Sequence, residues 1–297
     1  MKKVLVSPSS FGQCGNEPLE LLKKVGYSII ENPFGRKLTE DEIIEIAGDM
    51  DGVVAGVESY SKRVIDSLPN LKCISRVGVG IDSIDVKYCE EKEIEVYITP
   101  EGPTQAVAEL SIALALDLLR RVSVSDRRIR NGIWKKEVGN LISGKKVGIV
   151  GFGRIGKRTA GLYKALGCSV SAFDLYPDND WMNDNGIESL SLNELLASSD
   201  IISLHVPKPS DGKALITRDE LSIIKKDVLL INLARGGVVN EADLLDFLKV
   251  NTNAYAALDV FDVEPYDGPL KKLENVVLTP HLGSYAFESK LQMELKT

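Results

Sequence analysis

The chain has 297 residues, 44% apolar and 27% charged, with a net charge of −7 and a pI near 5.1. That length allows two ordinary domains with separate cores, and the acidic balance argues against nucleic acid or an anionic membrane surface as the main partner. No stretch approaches the roughly 18 apolar residues of a membrane span, and the opening MKKVLVSPSS carries too few apolar residues for a signal peptide, so the cytoplasm is the expected compartment.

In the first hundred residues KVLVS, YSII, GVVAG, KCISR and IEVYI read as strands, and EPLELLKKV, TEDEIIEIAG and SKRVIDSL between them have helical spacing. Thr39 with Glu42 predicts a capping box, and Ser61 predicts an N-cap. Such alternation implies a parallel sheet covered on both faces. TPEGPT at 99–104 breaks the pattern and marks a crossing between domains. A long helical segment follows from Gln105 to Trp134, apolar nearly all round in its first half. That surplus of buried-type surface predicts a homodimer through the helix at 105–122.

After Gly144 the alternation restarts: VGIVGFG, SVSAFD, DIISLHVP, DVLLINLARGG, AYAALDVF and NVVLTPH predict six strands of a second doubly wound unit. A helical stretch, AFESKLQMELKT, follows. Cys14, Cys73, Cys89 and Cys168 are far apart in sequence, with no metal or redox spacing. They read as small buried hydrophobes, and no metal is expected.

VGIVGFGRIGKRTAGLYKALG is a strand, a turn through Gly151, Gly153 and Gly156, and a helix. The glycines permit the turn and a close approach of pyrophosphate, which meets free N–H groups at the helix N-terminus. The next strand ends in Asp174, eighteen residues beyond Gly156, where a carboxylate accepts from ribose hydroxyls. LYPDND after it holds no base for a 2′-phosphate, so NAD is preferred over NADP.

Ligands in such sheets sit beyond the carboxyl ends of the strands. There the chain carries His205, Arg235, Asp259 with Glu264, and His281; His205 and His281 are its two histidines. Each alone reads equally well as a loop charge, a surface turn or a packed histidine. Beside a dinucleotide turn they suggest an arginine that clamps a carboxylate and a histidine that exchanges a hydroxyl proton against an acidic partner.

The segments GFGRIG, NLARGGVVNEADL, ALDVFDVEP and LTPHLGS, in that order and spacing, resemble the D-isomer-specific 2-hydroxyacid dehydrogenases, the group containing 3-phosphoglycerate dehydrogenase and glyoxylate/hydroxypyruvate reductases. The resemblance covers nearly the whole chain. It implies an α/β protein of two doubly wound parallel-sheet domains: a flavodoxin-like substrate (lid) domain over 1–99, with 285–297 as a candidate to return to it, and a Rossmann NAD-binding domain over 100–284. It implies that Arg235, Glu264 and His281 are the catalytic set, with His281 at the cleft between domains. Arg154 and Ile155 would contact the pyrophosphate and Asp259 the nicotinamide carboxamide. His205, Val206 and Pro207 would line the adenine side, and Ala234 and Gly283 fall among the cofactor positions. In SRVGVGIDSID the backbone N–H groups of Val79 and Gly80 would receive the substrate carboxylate, beside Arg235.

The implied substrate is a small D-2-hydroxy acid or its 2-oxo acid. The candidate substrates are 3-phosphoglycerate and glyoxylate or hydroxypyruvate. Phosphoglycerate enzymes carry a base in the loop matching AGVESYS, where this chain has Glu58, with Lys62 and Arg63 further on, so this loop does not favour 3-phosphoglycerate. The chain ends early for this family, which leaves a truncated terminus open. A dinucleotide-sensing binding protein or corepressor on the same fold is the alternative function.

Overall fold

Short β-branched runs alternate with amphipathic ones from Lys3 onward. The computed structural model, which describes residues 1–209 and 211–297, turns these into strands and helices. They form two units, Met1–Pro103 with Ser284–Thr297, and Thr104–Gly283.

Unit one contains β1 (Lys3–Val6), α1 (Glu17–Lys24), β2 (Ser28–Glu31), α2 (Glu40–Ala47), β3 (Gly52–Ala55), α3 (Lys62–Asp66), β4 (Cys73–Arg76), α4 (Val86–Glu91) and β5 (Glu95–Ile98). The strand order is β2-β1-β3-β4-β5, all parallel, the flavodoxin-like arrangement. Successive side chains point to opposite faces of a strand. Thus Leu5 and Val53 join Ile43, Tyr60 and Ile74 in one core layer, while Val4, Val6 and Val54 join Leu19 in the other. The predicted capping box is present, with Thr39 and Glu42 each accepting from the other's N–H. Ser61 sits at its cap position with extended backbone, but its hydroxyl makes no cap bond.

The last helix, α12 (Phe287–Leu295), belongs to unit one and packs on α1. Glu294 accepts from Gly12 N–H (3.0 Å) and pairs with Lys290, both side chains buried. Ser289 donates to the Gly102 carbonyl (2.8 Å). A Cβ at Gly102 would lie 2.3 Å from Met293 Cγ, so Gly102 lies directly against α12. The division accordingly falls after Pro103 rather than at 99–100.

The predicted long helix is two: α5 (Gly102–Arg120) and α6 (Val122–Arg130), broken at Arg121 in the left-handed region (φ 55°). Asp117 accepts from the Ser123 N–H and hydroxyl just past the break. The apolar surface of α5 is not surplus. Val107, Leu114, Ala115, Leu118 and Leu119 enter the core of unit two, leaving outside a stripe of Gln105, Glu109, Ala113, Leu116 and Arg120. Exposed apolar surface lies instead at Val122, Ile129, Ile133, Trp134, Val138 and Leu141.

Unit two continues with β6 (Lys146–Val150), α7 (Arg154–Ala165), β7 (Ser169–Phe173), α8 (Asn179–Asp184), β8 (Glu188–Ser189), α9 (Leu192–Ser198), β9 (Ile201–Leu204), α10 (Arg218–Ile223), β10 (Leu229–Asn232), α11 (Glu241–Val250), β11 (Tyr255–Leu258) and β12 (Val276–Leu278). Its sheet has seven parallel strands in the order β12-β11-β10-β9-β6-β7-β8. The seventh, β8, is a two-residue edge strand with no readable periodicity. Central strands β9 and β10 are buried throughout, as coverage on both faces requires. All four cysteines are free thiols; Cys89 and Cys168 are buried, while Cys14 and Cys73 are half-buried.

Candidate active site

Because the ladders of unit two are parallel, the loops that follow its strands leave the sheet at one edge. In spatial order from β7 through β6, β9, β10 and β11 to β12, these loops carry Asp174, the glycine turn, His205, Arg235, Asp259 with Glu264, and His281. At about 4.8 Å per strand, the glycine turn and His281 stand four strands apart, roughly 19 Å. The turn follows β6, where the strand order reverses between β7 and β9.

Gly151 has φ +92°, and a Cβ there would lie 2.5 Å from the His205 carbonyl oxygen. A Cβ at Gly156 would lie 2.1 Å from the Gly151 carbonyl oxygen, so bare glycine lets helix meet strand. Gly153 differs: nothing lies within 4 Å of a Cβ placed there. It is the N-cap of α7, so the N–H groups of Arg154, Ile155 and Gly156 have no intrahelical acceptor. Open space, donors and the helix dipole together suit a dinucleotide pyrophosphate.

Asp174 is half-buried. It accepts from Phe152 N–H (2.6 Å) and Tyr176 N–H (2.9 Å), tying the end of β7 to the glycine turn. Each oxygen retains lone-pair capacity for a ribose hydroxyl. His205 turns its Nε2 to Ser203 Oγ (2.9 Å), which meets Ser111 Oγ (3.0 Å) and, beyond it, Tyr163 OH (3.4 Å). Burial pushes the His205 ring down to about 4, so it is neutral at ordinary pH and no proton carrier there. Val206 is half-buried and Pro207 exposed.

After β10, Asn232 accepts from Ala234 N–H (3.1 Å) and donates to the Arg235 carbonyl (3.1 Å), shaping the turn that delivers Arg235. A Cβ at Gly236 would lie 1.9 Å from the Phe261 carbonyl oxygen. Only glycine lets the Arg235 loop close on the loop bearing Glu264.

The predicted pair is formed. His281 Nδ1 and Glu264 Oε2 are 2.9 Å apart, and Glu264 Oε1 accepts from Phe261 N–H (3.1 Å). Nδ1–H donating to the carboxylate leaves Nε2 as the exchangeable position. His281 is itself in the left-handed region, φ 56°, costing about 1–3 kcal/mol for a non-glycine residue.

Asp259 is what holds that conformation. Fully buried, it accepts from Thr279 Oγ1 (2.6 Å), Leu282 N–H (2.7 Å) and Gly283 N–H (2.7 Å). Its burial raises its pKa, against those three donors and the nearby imidazole, which lower it. The expected part of Asp259 toward the nicotinamide carboxamide thus has competition: its carboxylate first shapes the turn that carries His281. The sequence analysis missed this role, as it missed Ser203, Ser111 and Gly236. A serine in the middle of an apolar strand, as in IISL, was the available signal for the buried polar chain.

In unit one Glu58 is buried, accepting from Ser7 Oγ (2.9 Å) and Gly56 N–H (2.8 Å). The nearby bases are committed elsewhere: Arg63 to Glu40 and Asp41, and Lys62 to the face of Tyr88. Among the described residues no cluster of His, Cys, Asp and Glu suits a metal, and no helix is long and apolar enough to cross a membrane.

Comparison with known proteins agrees with this geometry. The family model for the D-isomer specific 2-hydroxyacid dehydrogenase, NAD binding domain, matches residues 112–283. The D-3-phosphoglycerate dehydrogenase of Archaeoglobus fulgidus is 35% identical over 99% of this chain and 55% of its own. The chain spans about half the length of the phosphoglycerate dehydrogenases it matches. The glyoxylate reductase of Korarchaeum cryptofilum is 36% identical over 90% of this chain and 86% of its own. The D-lactate dehydrogenase of Aquifex aeolicus, solved with NAD and lactic acid, superposes with a TM-score of 0.85 at 27% identity, covering 99% of this chain and 92% of that one. A dinucleotide turn at the sheet's switch point and a histidine–glutamate pair four strands away thus sit in a chain that belongs to the D-isomer specific 2-hydroxyacid dehydrogenase family.

Proposed function

We propose that the protein is an NAD-dependent dehydrogenase interconverting a small D-2-hydroxy acid and its 2-oxo acid. The observation that carries this reading is the His281–Glu264 bond at a parallel-sheet edge that also bears a dinucleotide turn. NAD, when bound, supplies the two-electron acceptor for the hydroxy acid. Arg235 clamps the substrate carboxylate and polarises the reacting oxygen, and the N–H groups of Val79 and Gly80 receive the carboxylate. In oxidation the hydroxyl O–H bond breaks and its proton passes to His281 Nε2, while Glu264 holds the imidazolium charge. In reduction the same nitrogen returns the proton.

The buried carboxylate of Glu58 and the pairing of Lys62 and Arg63 favour an unphosphorylated substrate, since a phosphate needs donors or positive charge. Turnover of NADH with glyoxylate, hydroxypyruvate and 3-phosphohydroxypyruvate tests both points. Reduction of the first two at higher kcat/KM is expected, and any turnover excludes a purely dinucleotide-sensing protein. No turnover with any 2-oxo acid sinks the proposal.

A homodimer is part of the reading, formed through the exposed apolar residues from Val122 to Leu141, with Trp134 at 83% exposure, rather than through α5. Light scattering at micromolar concentration should give twice the chain mass, and Trp134→Lys with Val138→Lys should halve it.

A further inference from the structure

The loop after β4 offers a different kind of strand-end chemistry. Val77 N–H donates to the Ala55 carbonyl (2.9 Å) and Gly78 N–H to Thr99 Oγ1 (2.7 Å). No hydrogen bond among the described residues uses the N–H of Val79 or Gly80. The carbonyls of this loop are held from behind. Arg76 donates through Nη1 to Val77 O and through Nε to Gly80 O (3.0 Å), and Thr99 N–H donates to Gly78 O (2.9 Å).

In a trans peptide the C=O and N–H point in opposite directions. Fixing the Gly78 carbonyl on Thr99 therefore aims the Val79 N–H, which shares that peptide plane, away from Thr99. Arg76 ties residue 77 to residue 80, so the plane between Val79 and Gly80 is bounded by anchored planes on both sides. Thr99 is 2% exposed, which makes the anchor rigid. Successive N–H groups turned the same way form an anion receptor, and one ordered before binding spends no affinity on its own immobilisation.

We infer that Arg76 and Thr99 are positioning residues that hold the Val79 and Gly80 N–H groups as a preformed receptor for the substrate carboxylate. The identity of the anion rests on the proposed function; the receptor itself rests on the bonds above. Arg76 acts by the fork of its guanidinium, which reaches two carbonyls, and not by charge alone.

Arg76→Lys keeps the charge and loses the fork. The expected result is a KM for glyoxylate raised about tenfold or more, with kcat at saturation and the Kd for NADH little changed. A KM within about twofold of wild type, or a parallel loss of NADH affinity, overturns the inference. Thr99→Val removes the Gly78 N–H acceptor and should raise KM in the same way, whereas Thr99→Ser should restore it. This pair decides the matter if the arginine variant does not fold. Amide NMR separates the inference from the proposed function. Titration of wild type with glyoxylate should shift the Val79 and Gly80 resonances, and Arg76→Lys should weaken the response. If those amides respond in a protein that turns over no 2-oxo acid, the proposed function fails and the receptor stands. If turnover occurs and the amides are silent, the receptor fails.

Discussion

The two units share a plan, a parallel sheet whose strand ends carry the proposed site, but they present different parts of the chain there. Unit two presents side chains: Arg235 after β10, Glu264 after β11 and His281 after β12. Unit one presents main-chain N–H groups at Val79 and Gly80, with side chains at work only behind them, at Arg76 and Thr99. A side-chain site is destroyed by changing the residue that touches the ligand. A main-chain site survives that change and is damaged by substitutions that never reach the ligand.

The sharpest test of this contrast is His281→Ala, which removes the proposed proton carrier from both directions. Loss on the order of a thousandfold in kcat is expected, with NADH affinity retained. A residual rate near wild type would move the chemistry away from unit two's side chains altogether. Arg235→Lys comes next. It keeps the charge but loses the bidentate geometry, and should cost on the order of a hundredfold in kcat/KM. If NADH binding collapses instead, Arg235 is a cofactor residue and the side-chain site is smaller than proposed.

His205 sharpens the contrast within unit two, because its ring is used as neutral scaffold. With only two histidines to resolve, NMR should show the His205 ring uncharged down to about pH 4. The folded value is depressed below the ordinary 6.5. Its neutral form therefore contributes stability that is whole above pH 6.5 and lost as pH falls toward 4, about 3 kcal/mol in all. Denaturant melts at pH 7 and pH 4.5 should show a larger loss for wild type than for His205→Phe. The smallest expected effect belongs to Val79→Ala, which keeps the N–H and should leave kcat/KM within about twofold. A large loss there would mean that the valine side chain, and not the backbone, meets the substrate.

The same contrast explains what was legible beforehand. The glycine turn, Asp174, Arg235 and His281 show in the sequence because their residue types are rare at strand ends or needed by the chemistry. The partner of His281 was harder: two acids, Asp259 and Glu264, lie close together after β11, and the family resemblance chose Glu264. Only the fold shows why both are there, one meeting the ring and the other the turn beneath it. Arg76 and Thr99 left no such mark, since an arginine and a threonine near strand ends have many ordinary uses. The helix break at Arg121 was hidden for a related reason. An arginine at φ 55° has no glycine or proline to announce it, and the bonds that Ser123 donates to Asp117 beside it are tertiary detail. The two-residue β8 was too short to show a period.

Asp259 also fixes what evolution can write at its own position. Three donors converge on its two oxygens, so the site counts acceptors before it measures shape. Asparagine would match the outline and, in either orientation, set its NH₂ against a backbone N–H that needs an acceptor. Glutamate would keep the acceptors and overrun the space. Of the twenty letters one satisfies both demands, and the backbone twist of His281 is spelled there, some twenty residues before the histidine itself.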